Sequence, residues 1–361
     1  MAGLTAAIHL AMEGRDVAVF EQHAYPHHKV CGEYVSKEIS PYFKRLGIAM
    51  KKVGAVDIDQ FQISTIEGDV VHTDLPLGGW GISRYAFDQL LYHRAKEVGV
   101  QFHFEKVHKI AFKNDIFTVF TNSTTYTARI ALGAYGKRSV LDKNLDRDFS
   151  KKRQSWLAVK IHFRYPGFPE NLVGLHTFKG GYAGLSKTES GAVNFCYLAH
   201  NNSFKKYGNI EAFNRQVVAQ NPFLKTFLSD AQPIFEQPKA IAQISFDKKD
   251  AVVNHVLMCG DTAGLIHPLC GNGMAMAIHS AKIASELVLR FLQDEKYTRP
   301  QLEQEYTKAW KKTFGKRLWF GRKLQGILLN ESLVSIGIRN IGKSSSLLKY
   351  IISKTHGKLI S

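Results

Sequence analysis

The chain has 361 residues, long enough to bury a substantial core and to divide into two or three domains. Its 45% hydrophobic and 22% charged content excludes a disordered chain, and no run of about eighteen apolar residues marks a membrane span. Four cysteines without Cys-x-x-Cys spacing exclude a disulfide framework or a cysteine zinc site and predict a reducing, cytoplasmic setting, while a formal charge of +17 exceeds what solubility needs.

Residues 3–21 read as a helix and then a strand, unlike a signal peptide. The loop Gln22–Glu33 follows, with His27 and His28 read as solvated because no second set of metal ligands accompanies them. A helix is predicted over 37–46, ended by Gly47, and short strands over 52–75. From Ser83 to Gly99 the spacing of Phe87, Leu90, Leu91 and Ala95 predicts an amphipathic helix. Strands are expected at 100–104, 116–121 and 126–132, a sheet over 156–200 rich in β-branched and aromatic residues, helices over 203–230, and a return at 241–260. There is no internal repeat.

The stretch 256–274 is the most informative. Val256–Cys259 predicts a buried parallel strand whose end opens at Gly260, where Asp261 offers a carboxylate to sugar or ribityl hydroxyls. Gly271 and Gly273 let backbone approach a flat ring, and a helix starting near Asn272 aims free N–H groups at the same point. At the start of the chain, a helix closely packed through Gly3, a turn at Gly14 and a second strand lead to Glu21, which falls at the ~20-residue separation of a ribose-binding acid. Ser83-Arg84-Tyr85-Ala86-Phe87-Asp88 and Gly133-Ala134-Tyr135-Gly136-Lys137-Arg138-Ser139 complete the set.

Taken in order, these stretches resemble the FAD-dependent oxidoreductases of the glutathione-reductase fold, particularly the geranylgeranyl reductase and aromatic hydroxylase branch. The resemblance covers residues 1–290 and implies an α/β fold: an FAD-binding Rossmann domain with a mixed-sheet substrate domain and a helical C-terminal region. It implies domain segments 1–46, 81–142 and 245–295 for FAD, 47–80 and 150–244 for substrate, and 296–361 as the basic helical tail. It also implies FAD as cofactor, with Gly3, Glu21, Gly32, Arg84, Gly260, Asp261, Gly271, Asn272 and Gly273 around it. Arg84 would lie near the pyrophosphate or ribityl chain.

Two departures are visible. The family carries a strand and a Gly-x-Gly before the position of Met1, so an upstream extension of the reading frame is expected to supply them; without them the chain would be an inactive remnant or a non-catalytic binding protein. Tyr135 stands where many aromatic hydroxylases have aspartate, which weakens a standard NADPH-dependent hydroxylase and leaves NADPH or NADH as one option for an otherwise unidentified electron donor.

Four residues are candidates for chemistry. Cys31-Gly32-Glu33 resembles the Cys-Gly-Glu or Cys-Gly-Gly turn of the reductase and halogenase relatives, with Gly32 near the ring and Cys31 or Glu33 contacting flavin or substrate; the plainer reading is a small buried thiol and an exposed acid. Tyr182, within Gly180–Leu185, either bounds the pocket or is core. His267, before Pro268, serves as acid or base near the flavin or simply holds a tight loop.

The tail repeats Leu302, Tyr306, Trp310, Phe314 and Leu318 at every fourth residue among many lysines and arginines. The favoured reading packs that stripe on the body; the other sets a basic, aromatic surface against the anionic inner face of a membrane. Nucleic acid ranks lowest, since no accompanying motif is present. The combined expectation is an FAD-dependent oxidoreductase reducing carbon–carbon double bonds of an apolar isoprenoid or lipid-like small molecule, with hydroxylation of an aromatic or polyketide-like substrate as the alternative.

Overall fold

The opening segment folds as helix α1 (Ala2–Met12) and strand β1 (Ala18–Phe20), as the sequence predicts. The computed structural model describes residues 1–152, 155–265 and 272–328, with positions 337, 352 and 357–361. Strand β2 (Tyr34–Ser36), the short α2 (Ser40–Arg45) and the pair β3 (Val56–Ser64) and β4 (Val70–Gly81) come next, followed by α3 (Arg84–Glu97) and β5 (Gln101–His103). A three-stranded antiparallel sheet, β6 (Lys109–Lys113), β7 (Ile116–Phe120) and β8 (Thr125–Ala128), precedes β9 (Leu132–Gly133) and α4 (Val140–Asn144). The first strand of that sheet is not among the predicted ones: lysines bracket it at both ends and leave only Ile110, Ala111 and Phe112 as an apolar signal.

The middle of the chain gives β10 (Trp156–Arg164), β11 (Leu172–Phe178), β12 (Gly181–Lys187) and β13 (Val193–His200). Helices α5 (Asn201–Phe204), α6 (Ile210–Gln216) and α7 (Pro222–Asp230) then lead to β14 (Gln232–Pro233), β15 (Lys239–Ile244), β16 (Val252–Val253) and β17 (Val256–Met258). Two long helices, α8 (Gly273–Gln293) and α9 (Arg299–Leu328), follow.

The large sheet runs β14-β10-β13-β12-β11-β3-β4-β2, with β15 also paired to β10, and is antiparallel except where β11 meets β3. Its strand β10 is buried on both faces, which is why the stretch from Trp156 to Phe163 reads as one nearly continuous apolar run. One face packs Val159, Ile161, Phe195 and Tyr197 against Phe213, Leu224 and Phe227 of the helices behind it. The other face looks toward the parallel strands.

Those parallel strands form two separate pairs, β1 with β5 and β9 with β17, and residues of both line one cavity. Helices α1 and α8 pack together beside it through small residues: a side-chain carbon added at Gly260 would lie 3.1 Å from the Cβ of Ala277 and 3.3 Å from that of Ala2. Gly3 is equally tight, at 3.2 Å from the Cβ of Ala134.

Ser83 caps α3 by accepting from the Ala86 N–H, and Phe87, Leu91 and Ala95 bury as predicted while Leu90 is half-buried. The every-fourth stripe of α9, Leu302 to Leu318, is buried against α8 and β17, so the packing reading of the tail holds.

Candidate active site

A cavity of about 1790 Å³ runs from the C-terminal ends of the parallel strands to the inner face of the large sheet. Single ligands ordinarily occupy ~300–1,000 Å³. There is room here for a dinucleotide and a second molecule.

The cofactor end is built from backbone. Gly136, at φ +84°, donates its N–H to the Thr262 hydroxyl at 2.8 Å, and that hydroxyl donates back to the Gly136 carbonyl at 3.2 Å. This stitches the 133–139 loop to the Gly260–Thr262 turn. A buried Arg147 and a half-buried Lys249 hold the turn from behind: Arg147 donates to the Thr262 carbonyl at 2.8 Å, and Lys249 to the Asp261 carbonyl at 2.8 Å. Burial brings the Lys249 ammonium down to about 8, with nearby Asp261 opposing. Gly260 takes φ +62° and donates its N–H to the Ser280 hydroxyl at 2.8 Å. The Asp261 side chain is thereby left at the cavity, without a hydrogen-bonding partner among the described residues.

α8 starts where the sequence predicts, with Asn272 in the N-cap position but making no side-chain cap bond; Gly273 lies on the cavity wall, whereas Asn272, expected beside the cofactor, is fully buried and does not line the cavity. The Asn272 amide donates to Glu38 at 3.1 Å, and the same buried carboxylate accepts from Arg317 of α9 at 3.2 Å and from the Gly357 N–H. Gly271 and His267 lie outside the described residues.

At the other end of the cofactor groove, Glu21 closes β1 and pairs with Lys29 at 3.3 Å. Lys29 also reaches Asp88 at 3.5 Å, and Asp88 grips Arg84 through two hydrogen bonds of 3.1 and 2.7 Å. Burial alone would raise the Asp88 carboxyl, but Arg84 and Lys29 outweigh it and hold the group far below the usual carboxylate range. The guanidinium is thus fixed in place at the cavity wall. Glu21, Arg84 and Asp261 line one cavity.

Between these ends lies the Cys31–Glu33 turn. Gly32 lines the cavity, and a side-chain carbon added there would meet nothing within 4 Å. The Cys31 carbonyl accepts from Asn194 at 3.2 Å, and its thiol contacts the Met274 sulfur at 3.7 Å. Glu33 is not the exposed acid of the plainer reading. At φ +56° its side chain turns inward, fully buried, where one oxygen accepts from the Arg84 N–H at 2.6 Å and from Lys160, and the other meets His162 Nε2 at 2.6 Å. Burial would raise this carboxyl, yet the His162 hydrogen bond and the Lys160 charge hold it below its ordinary value.

Lys160 and His162 come from β10, on the sheet face that also presents Ala158. His28 is not solvated: its ring lies 4.9 Å from Tyr85, 4.7 Å from Phe235 and 5.4 Å from His162, and burial brings it down to about 4. Among the described residues no cluster could hold a metal ion.

Farther along, the same face becomes apolar. Ala158, Leu175, Tyr182, Leu198 and Ile244 form one buried cluster that is also cavity wall, so both readings of Tyr182 apply at once. Gly184, opposite Leu175 and Cys196 in the sheet register, adds no side chain to it.

The sequence match to the family described as FAD binding domain covers residues 1–297. The chain is 22% identical over 349 residues to Conditioned medium factor receptor 1 of Dictyostelium discoideum, an alignment covering 87% of this chain and 66% of that protein. It is 22% identical over 310 residues to Menaquinone reductase of Mycobacterium tuberculosis, covering 80% and 74% respectively. Among solved structures, the flavin-dependent brominase Bmp2 superposes with a TM-score of 0.81 at 13% identity, over 98% of this chain and 90% of that one. That superposition establishes a shared fold.

Proposed function

From the premise that the chain belongs to the FAD binding domain family and is an FAD-dependent oxidoreductase, we propose that it reduces a carbon–carbon double bond of an apolar, isoprenoid or lipid-like molecule. The single observation that carries this reading is the cavity wall beyond the cofactor groove, where Ala158, Leu175, Leu198 and Ile244 offer hydrocarbon and Gly184 leaves width. The likeness to a menaquinone reductase supports it.

FAD fits the residues present: carboxylates at Glu21 and Asp261, a fixed guanidinium at Arg84, and an open glycine at Gly32 all line one groove. When bound and reduced, the flavin supplies the hydride, and the net reaction adds that hydride and one proton to the alkene while an external donor returns two electrons. The chain's own part is orientation and exclusion of water. Asn194 holds the Cys31 carbonyl, the buried Glu33–Lys160–His162 group fixes the turn that faces the ring, and Leu265 with Ile244 closes hydrocarbon over the substrate. Glu33 is accordingly a positioning residue, while Cys31 and Tyr182, on the cavity wall, are the groups placed to meet substrate.

The test is single turnover. FAD-loaded protein, reduced by one equivalent of dithionite under anaerobic conditions, is mixed with geranylgeraniol, which carries alkenes and no quinone, and the expected result is return of the oxidised flavin spectrum with a product two hydrogens heavier. Persistence of the reduced spectrum, together with oxygen-dependent hydroxylation of an aromatic substrate on admitting air, would overturn the reading in favour of a monooxygenase.

A further inference from the structure

Among the described residues, the outer face of α9 is exposed and carries one sign of charge. From Lys308 to Leu328 the sequence contains no aspartate or glutamate. Lys308, Lys312, Lys316 and Lys323 are all exposed, and Trp319 among them is 57% exposed. At 3.6 residues per turn these five positions form one stripe, on the side of the helix opposite Leu302, Tyr306, Trp310, Phe314 and Leu318. The only acids of the helix lie near its start and are engaged elsewhere, Glu303 with His255 at 2.8 Å and Glu305 with Arg290 at 3.2 Å. Among the described residues none of the stripe lysines has an acidic partner.

We propose that this stripe seats the protein on an anionic lipid surface. Four like charges in a row repel one another, and the indole at their centre leaves more than half of its surface in water, so the stripe is not arranged for stability. Both are explained by a plane of negative headgroups, where each lysine near the surface gains attraction and indole favours the depth of the headgroups. The stripe is a straight convex ridge, the outside of a helix whose other side is buried; single-stranded nucleic acid is held in grooves instead. No helix among the described residues is long and apolar enough to cross a membrane, so the contact is peripheral. The inference is independent of the substrate reading.

The test uses the FAD-loaded full chain and sedimentation with phosphatidylcholine vesicles, with and without phosphatidylglycerol. Binding is expected only with phosphatidylglycerol, reversed by salt, and accompanied by a blue shift of tryptophan emission that Trp319→Ala abolishes. The quadruple variant Lys308→Gln, Lys312→Gln, Lys316→Gln and Lys323→Gln should bind about 600-fold more weakly while keeping its flavin spectrum, since each lysine near the surface is worth roughly fivefold. Equal binding to uncharged vesicles, no binding at all, or binding to oligonucleotide with the same lysine dependence and no response to vesicles would overturn the proposal.

Discussion

The two walls of the cavity are made in different ways. At the cofactor end, the 133–139 loop and the 260–262 turn act through glycines, carbonyls and N–H groups, braced from behind by Arg147 and Lys249. At the sheet end, the Glu33–Lys160–His162 group acts through side chains that are themselves buried and charged. The contrast teaches where each wall is vulnerable. A backbone-built wall depends on conformations only glycine adopts easily, and a side-chain-built wall depends on every charge keeping its partner.

The largest effect is expected at the sheet end. Replacing Glu33 by Gln leaves Lys160 buried without a counter-charge, and stability should fall by about 3–5 kcal/mol in urea denaturation followed by far-ultraviolet circular dichroism. Adding Lys160→Met to Glu33→Gln removes the orphaned charge and should recover much of the loss. If the two losses simply add, the side chains are not acting as one unit.

Gly260→Ala tests the opposite wall. Its φ of +62° and the 3.1 Å approach to the Ala277 Cβ predict a loss of about 2–3 kcal/mol, with FAD affinity falling in parallel because the turn carrying Asp261 must shift. Isothermal titration with FAD checks this, and undiminished affinity in a folded variant would show that the turn tolerates displacement. Glu33→Gln, by contrast, should weaken FAD less than it weakens the fold.

The same contrast decides what could be read from sequence. Gly260, Asp261, Asn272 and Gly273 sit within one short stretch, so strand, turn and helix start were all legible there, as was Glu21 at the end of β1. The sheet end was not. Lys160 and His162 lie 127 and 129 residues from Glu33, and Asn194 lies 163 from Cys31, distances no local pattern spans. One signal was present: a lysine inside the otherwise apolar run Trp156-Leu-Ala-Val-Lys-Ile-His-Phe163, which a buried strand tolerates only when the charge is paired. Tyr182 stayed ambiguous because alternation along a strand separates two faces without saying which one borders a cavity. The α9 stripe was legible because five residues at a spacing of four fix a buried side, and by default its opposite.

The smallest effect separates the walls by pH. Lys249 titrates near 10.4 when unfolded and at about 8 when buried behind the cofactor turn, so between those values the unfolded chain binds more protons than the folded one. Stability must therefore rise with pH from about 8 toward 10, here by about 1 kcal/mol once relaxation of the site is allowed for. Above pH 10 the sign reverses, because burial raises the phenols of Tyr135 and Tyr306 and unfolding then releases their protons. The sheet end gives the other limb: His28, brought down to about 4 by burial and by the neighbouring Lys160 and His162, contributes stability above about 6.5 that is lost as pH falls toward 4. Lys249→Met should flatten the alkaline rise and leave the acid limb unchanged. A variant that flattened both would mean the two walls unfold through one shared titrating network, contrary to their separate construction.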